Sequence, residues 1–304
     1  MQTYKPAIKP LDVFVLLAIV GLFTYITYRL FFALNYNWNW SVIPTYMVYH
    51  DPETGSWRAN LLLEGFITTI KLSIWATLLA VLIGSIVGLM RVSPRLFYRM
   101  VGRTYIEAIR NTPPLVLVFI FYYFVSDQFF TFLGVEDYFR TSSPAMQSYV
   151  TFFFASPSLI TQFLSGVLTL AMFQGAYIAE IVRAGIQAVE IGQWEAGHAL
   201  GLSRGKTLCF IILPQAIKIM LPPLANEFIN TIKWSSIVSI ISIQELTFQA
   251  LQVMASTQAT IEIWLTISTM YLVLCLSLSL VVRKIEKHLA RSEGTMGTYQ
   301  QTGP

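Results

Sequence analysis

Six hydrophobic runs divide the chain, near residues 12 to 34, 64 to 90, 114 to 134, 158 to 182, 211 to 241 and 260 to 282. A helix needs about 20 apolar residues to cross ~30 Å of hydrocarbon, so each run predicts one span and the fold class is an all-α integral membrane protein of about six transmembrane helices. The fifth run differs from the others. From Cys209 to Ile243 it is too long for one perpendicular span, and Pro214, Pro222, Pro223, Asn226, Glu227 and Lys233 interrupt it. Broken backbone at membrane depth is tolerated where it faces protein or water, which predicts that this run lines a pathway.

The polar intervals are short. The longest, around 35 to 63 and 134 to 157, read as loops of modest size, and the chain contains no internal repeat or low-complexity tract. One membrane domain is therefore expected: an anchor helix and long outer loop over 1–60, a core over 61–290 enclosing a polar loop at 184–210, and a tail over 291–304. The first run is longer than a secretory signal core, carries Arg29 and leads into Asn35-Tyr36-Asn37-Trp38 with no small-residue cleavage site, so it reads as an uncleaved anchor. Trp38, Trp40 and Trp57 then suit an interfacial aromatic belt.

Composition strengthens the membrane reading and charge orients it. Hydrophobic residues are 55% of 304 and charged residues 12%, far from the soluble mix of about 25% charged. The net charge of +4 implies no nucleic-acid partner once the basic residues are located. With the N-terminus in the cytoplasm, Lys5 and Lys9, then Arg91, Arg95, Arg99, Arg103 and Arg110, then Arg183, Arg204, Lys206 and Lys218, and finally Arg283, Lys284, Lys287 and Arg291 all lie inside. Arg58 and Arg140 lie outside, while Arg29, Lys71 and Lys233 fall within or at the ends of spans. The positive-inside rule selects this orientation and places the 184–210 loop in the cytoplasm.

Candidate chemistry is concentrated in that loop and the run after it. Glu195, Ala196 and Gly197 are followed by Gly201 and then by Ile211, Leu213 and Pro214. Small residues there would allow a second protein to approach closely, and Pro214 predicts a break between two rigid pieces. Gln174, Glu180, Asn226, Glu227, Lys233, Ser235 and Ser236 are candidates for the pathway, since ionisable groups in a span are functional suspects. Glu227 and Lys233 could pair with each other or with other helices, and Glu180 with Arg183 has the spacing of a local ion pair. Gly84 and Gly88 form a small-xxx-small surface, open to packing within the chain or to dimerisation.

No catalytic or metal-ligating residue is expected. There is no HExxH, no GxSxG and no ligand-spaced Cys/His cluster; His50, His198 and His288 are scattered. Cys209 and Cys275 read as buried apolar thiols. The segment from Gly201 to Thr207 has three residues between its glycines where a phosphate-binding loop needs four, so the chain has no nucleotide site of its own.

The Glu195 to Pro214 pattern resembles the E-A-A loop of membrane subunits of bacterial binding-protein-dependent ABC importers. The stretches from Ala176 to Ser203, Arg110 to Val116 and Asn226 to Ile237 resemble the polar amino acid, or histidine/glutamine-type, permease family, and the likeness covers most of the chain from about residue 60. Gly197 stands where that family has a second alanine, and Trp234 where a polar residue commonly follows the lysine.

The resemblance implies a type I ABC importer (MetI-like) permease fold in a bacterial plasma (inner) membrane. It also implies a separate ATPase that holds ATP and Mg and grips the loop, an external solute-binding protein, a second permease chain, identical or related, and a polar amino acid as cargo. No cofactor is expected in this chain. The alternative is an ion-driven secondary transporter or channel acting without an ATPase; mid-membrane acidic pairs and an inverted repeat would favour it.

Overall fold

The computed structural model describes residues 10–29, 36–53 and 55–297, with side chains as far as residue 284. Lys5, Lys9, the 30–34 end of the first hydrophobic run, Asn35 and residues 298–304 lie outside the described residues, as do the side chains of Lys287, His288 and Arg291. The chain forms two units, residues 1–41 and 42–304. The first contains helix α1, Pro10–Tyr28, none of whose side chains is buried, and beyond it the stacked indoles of Trp38 and Trp40, 5.7 Å apart.

The second unit opens with α2, Val42–Met47, and a hairpin of β1, Val48–His50, and β2, Trp57–Ala59, with Tyr49 opposite Arg58. Arg58 pairs with Asp51 at 3.1 Å across its turn. Val42 packs with Leu62, Leu246 and Ile263 within the second unit.

The remaining elements are helical. Helix α3 spans Leu61–Val92, α4 Leu96–Arg110, α5 Pro114–Ile120 and, after a π-helical turn at Phe121–Ser126, α6 Asp127–Phe132. Two short helices, α7 (Val135–Arg140) and α8 (Pro144–Phe153), occupy the interval read as a loop. Then come α9, Ile160–Gln187, α10, Ile191–Ala199, and α11, Arg204–Thr207. A second π-helical turn, Leu208–Ile212, leads into α12, Leu213–Ser235, which tightens to a 3₁₀ turn at Ser236–Ile241 before α13, Leu246–Thr257, and α14, Thr260–Gly297. Six helical stretches among the described residues are long and apolar enough to cross a membrane, and each matches one of the six hydrophobic runs.

The fifth run is not broken at its prolines. Helical structure runs from Arg204 to Ile241 straight through Pro214, Pro222 and Pro223. The π turn precedes Pro214, whose ring would otherwise meet the carbonyl four residues back; widening the helix there admits it. The chain leaves helical geometry only at Ser242, whose φ is 62°. Cys209 is exposed and Cys275 half-buried, so neither is the buried thiol expected.

Helix α9 is the centre. Its apolar window is 72% buried, against 33% for α3 and 6% for α14. Helix α3 lies against it with glycines at the crossing: a Cβ on Gly84 would come 2.6 Å from Ile178 Cγ2, one on Gly88 2.7 Å from Val182 Cβ, and one on Gly175 2.9 Å from Ile83 Cγ2. The small-xxx-small surface therefore closes within the chain. On the other flank, a Cβ on Gly185 would fall on the Met220 side chain of α12.

One buried carboxylate fastens three helices. Glu245 caps α13 by accepting the Phe248 N–H at 2.8 Å, and its other oxygen accepts the Tyr271 hydroxyl of α14 at 2.7 Å and the Thr69 hydroxyl of α3 at 3.4 Å. Burial pushes this carboxyl above its ordinary value of 4.5, against the opposing pull of those hydrogen bonds.

Because the folded value is raised, the contribution of Glu245 to stability is fully present below the ordinary glutamate value and is lost as pH rises through the folded one. The melting temperature of Glu245→Gln is expected to depend less on pH over that window than that of the parent; equal slopes would refute the assignment. Gly84→Val and Gly88→Val are expected to destabilise by about 1–3 kcal/mol each through overpacking. Gly21→Val, with nothing within 4 Å of its Cβ, is the silent control in the same thermal melts.

Candidate functional site

The loop between α9 and α12 is a structured element. Helix α10 ends in a paired C-terminal motif: the Leu202 N–H bonds the Gly197 carbonyl at 3.1 Å and the Gly201 N–H bonds the His198 carbonyl at 2.9 Å. That geometry requires a left-handed residue at the turn, and Gly201 supplies it with φ of 74°. Gly201 is thus fixed by backbone conformation, with nothing near its missing side chain.

Gly197 has a different reason to be small. It is the buried residue of α10, and a Cβ there would come 2.5 Å from Thr207 Cγ2 and 2.8 Å from Thr207 Oγ1. The expectation that a residue at Gly197 faces a partner protein is corrected by this contact, which is with the chain's own α11. Glycine where the family has a second alanine is therefore a packing requirement here.

Three ties hold α10 to α11 and the start of α12, which are one helical stretch. Besides the Gly197–Thr207 contact, the Arg204 guanidinium sits 5.5 Å from the centre of the Trp194 ring, and the Gln215 amide donates to Gln193 at 3.2 Å. Trp194, Leu208, Ile211 and Leu213 also pack onto one cluster with Ile186 and Val189 of the α9 end and Ile212 and Ala216. Leu213 and Pro214 stand at the head of α12, inside this junction. The opposite side of α10 is open: Glu195, Ala196 and His198 are exposed, and Ile191 and Leu200 are each 76% accessible.

Farther along α12, the pathway candidates divide. Gln174 of α9, fully buried, has its amide nitrogen 2.9 Å from Glu227 Oε1 when its oxygen is turned to the Thr231 hydroxyl (3.1 Å) and N–H (3.3 Å), the orientation that satisfies both ends. Asn230 donates to the other Glu227 oxygen at 3.2 Å. Asn226 is exposed beside this cluster. Lys233 is also exposed, and among the described residues no ion pair joins it to Glu227. Ser235 and Ser236 return their hydroxyls to carbonyls of their own helix, those of Ile232 and Lys233, each at 2.8 Å.

Glu180 makes the local ion pair its spacing predicts, 2.7 Å to Arg183, and a second at 3.5 Å to Arg91 of α3 that no local pattern announced. It works as a tie between α3 and α9. Trp234, the departure from the family pattern, packs edge-on against Phe173 at 5.3 Å in the helix core. The residues sequence reasoning passed over are Thr207, Gln193, Gln215, Thr231 and Asn230. The last two follow Glu227 at helical spacings and carried a usable signal; the rest emerge only from tertiary contact.

Gly197→Ala is expected to lower the melting temperature by several degrees, about 1–3 kcal/mol, because Thr207 must move. Adding Thr207→Ala removes both obstructing atoms, so the double variant is expected to recover most of the loss. A double variant no better than the single one would show that Thr207 is not the constraint.

Comparison with known proteins agrees with this arrangement. The model of the family described as "Binding-protein-dependent transport system inner membrane component" matches residues 80–291. The chain is 32% identical to the probable glutamine ABC transporter permease protein GlnM of Bacillus subtilis, over 77% of this chain and 95% of that one. It is 34% identical to the L-cystine transport system permease protein TcyB of the same organism, over 76% and 87%. Among solved structures, one described as an amino acid ABC transporter with histidines superposes with a TM-score of 0.58 at 35% identity, over 75% of this chain and 94% of that one. An inward-facing MetNI methionine transporter shares the fold, with a TM-score of 0.55 at 13% identity. With the matched model running from the second half of α3 through α9, α10 and α12, the chain belongs to the inner-membrane components of binding-protein-dependent transport systems.

Proposed function

We propose that this chain is the translocating subunit of an importer for polar amino acids, driven through α10 by a separate ATPase that binds ATP and Mg. An external solute-binding protein delivers the cargo, and a second permease chain, the same or related, completes the pathway. The chain itself performs no catalysis. The observation that carries the reading is the construction of α10: one side pinned through Thr207 and Arg204 of α11 and Gln215 of α12, the other side exposed, with Ile191 and Ala196 beside Glu195 and His198.

Such a helix transmits displacement. From Leu213 to Glu227 an α-helix advances about 21 Å, so a push at α10 reaches the Glu227–Gln174–Thr231 cluster through one continuous rod. That cluster joins α12 to α9 by hydrogen bonds, which can exchange partners as the rod moves. Orientation follows from charge: Arg91, Arg95, Arg99, Arg103, Arg183, Arg204 and Lys206 gather at the α10 end, which we place in the cytoplasm with both termini. The names of the similar permeases support an amino acid cargo, among them glutamine, cystine and, at 29% identity, glutamate and aspartate.

Glu195→Lys and Ala196→Trp alter only exposed side chains of α10. In proteoliposomes holding the whole transporter, each is expected to reduce ATP-driven uptake about tenfold or more by weakening the docked contact, while docking of the binding protein on the other side persists. Normal uptake in both variants would remove α10 as the coupling element.

A further inference from the structure

A cavity of about 370 Å³ opens at the end of the bundle opposite α10, within the ~300–1,000 Å³ range typical of small-molecule sites. Its polar wall comes from separate elements: Glu64, Thr68 and Lys71 on α3, Thr151 on α8, Gln162 on α9 and Gln244 ahead of α13. The place is well separated from the loop junction, since Glu64 lies in the first turn of α3 whereas the far half of that helix, at Gly88, meets Val182.

Two opposite charges stand apart in this wall. Glu64 and Lys71, seven residues apart, lie on one face of α3 about 10 Å from each other along its axis. Among the described residues neither has an ion-pair partner. Lys71 is not idle: its ammonium donates to the Thr151 carbonyl at 2.8 Å, which fixes the charge in the wall and leaves further N–H donors. The amides of Gln162 and Gln244 and the hydroxyls of Thr68 and Thr151 supply neutral donors and acceptors.

This chemistry selects its ligand. A simple anion would meet Glu64, a simple cation would meet Lys71, and an acyl chain would leave the amides unpaired. A molecule with a carboxylate and an ammonium at different points satisfies both charges, and a polar side chain satisfies the amides. We propose that the cavity is a receiving site for the transported amino acid, with the carboxylate at Lys71 and the ammonium at Glu64. The proposal rests on the importer reading given above and adds to it a binding site in the membrane subunit, where the solute lodges after leaving its external carrier.

The test uses the permease and its ATPase, copurified and placed in lipid nanodiscs without the binding protein. Radiolabelled L-glutamine, L-glutamate, L-cystine and L-arginine are the probes, chosen after the complete system in proteoliposomes has shown which are taken up. The transported amino acid is expected to bind the nanodisc complex directly. Lys71→Met and Glu64→Gln are each expected to weaken that binding about tenfold or more, the loss of one charge-assisted contact. The decarboxylated amine and the deaminated acid of the same compound are expected to compete about tenfold less well than the parent, for the same reason.

Copurification and the melting temperature report whether each variant assembles. Should Lys71→Met fail to do so, Glu64→Gln, at an exposed position, decides the matter alone. No binding of a transported amino acid at about 10 mM, or binding unchanged by these variants, overturns the site and leaves the importer reading standing. A complete system that carries none of the four amino acids overturns the amino acid reading itself, and the site falls with it.

Discussion

Helices α3 and α9 come close because each gives up its side chain where the other arrives. Gly84, Gly88 and Gly175 leave no space for a Cβ, and that approach allows Ile178, Val182 and Ile83 to interlock. In lipid there is little hydrophobic gain from bringing two apolar helices together, so close packing must supply the attraction. Helix α9 is consequently sealed on several sides, and polar residues that lipid would reject can be kept there: Gln174 and Thr169 are both fully buried on α9 with partners on α12 and on the π-helical turn after α5. The polar cluster depends on the dry packing around it.

The same economy of side chains sets where the molecule is rigid. At the junction of α9, α10 and α12, Gly197 and Gly185 bring backbone against Thr207 and Met220, and an aromatic–guanidinium contact and an amide pair close the remaining gap. A loop built this way has no slack to absorb a displacement. The prolines of α12 add to the effect in an unexpected direction. They do not cut the helix, because the π turn ahead of Pro214 accommodates the first and the surrounding helices hold the rest of the rod. The departure from α-helical geometry comes instead at the far end, where the helix tightens and Ser242 takes a left-handed conformation.

How much of this the sequence discloses depends on the range of the interaction. Span number and the Glu180–Arg183 pair are local, fixed by run length and by helical spacing, and both are legible in one pass; Gly201 reads in sequence as room for a partner protein, whereas its φ of 74° makes it the turn residue that ends α10. The second partner of Glu180, the reason for Gly197, and the Glu245–Tyr271–Thr69 node are not legible. Each is formed by residues from different helices, and nothing in the neighbourhood of Gly197 names Thr207 as its obstacle. Prolines misled for a related reason: their local effect on a hydrogen-bond ladder is certain, whereas the helix's response to it is decided by neighbours. The surface of short helices α7 and α8 was likewise read as loop because neither reaches the length at which a helix announces itself in sequence.

An argument about motion follows from where hydrogen bonds and where packing do the joining. Along α3 and α9 the contacts are backbone-close and admit few alternatives, so this pair should move as one body. Between α9 and α12 the middle contact is an amide facing a carboxylate and a hydroxyl, groups that can rotate and re-pair with a small change in free energy. At the junction end, Gly185 against Met220 again permits little. A rod held tightly at one end and by exchangeable polar contacts farther along tends to pivot and not to slide, opening most where the polar contacts lie. The geometry of attachment thus places the largest displacement beside Asn226, Glu227 and Asn230, and on the importer reading proposed above their polarity would serve the path in a way that a purely apolar helix face could not.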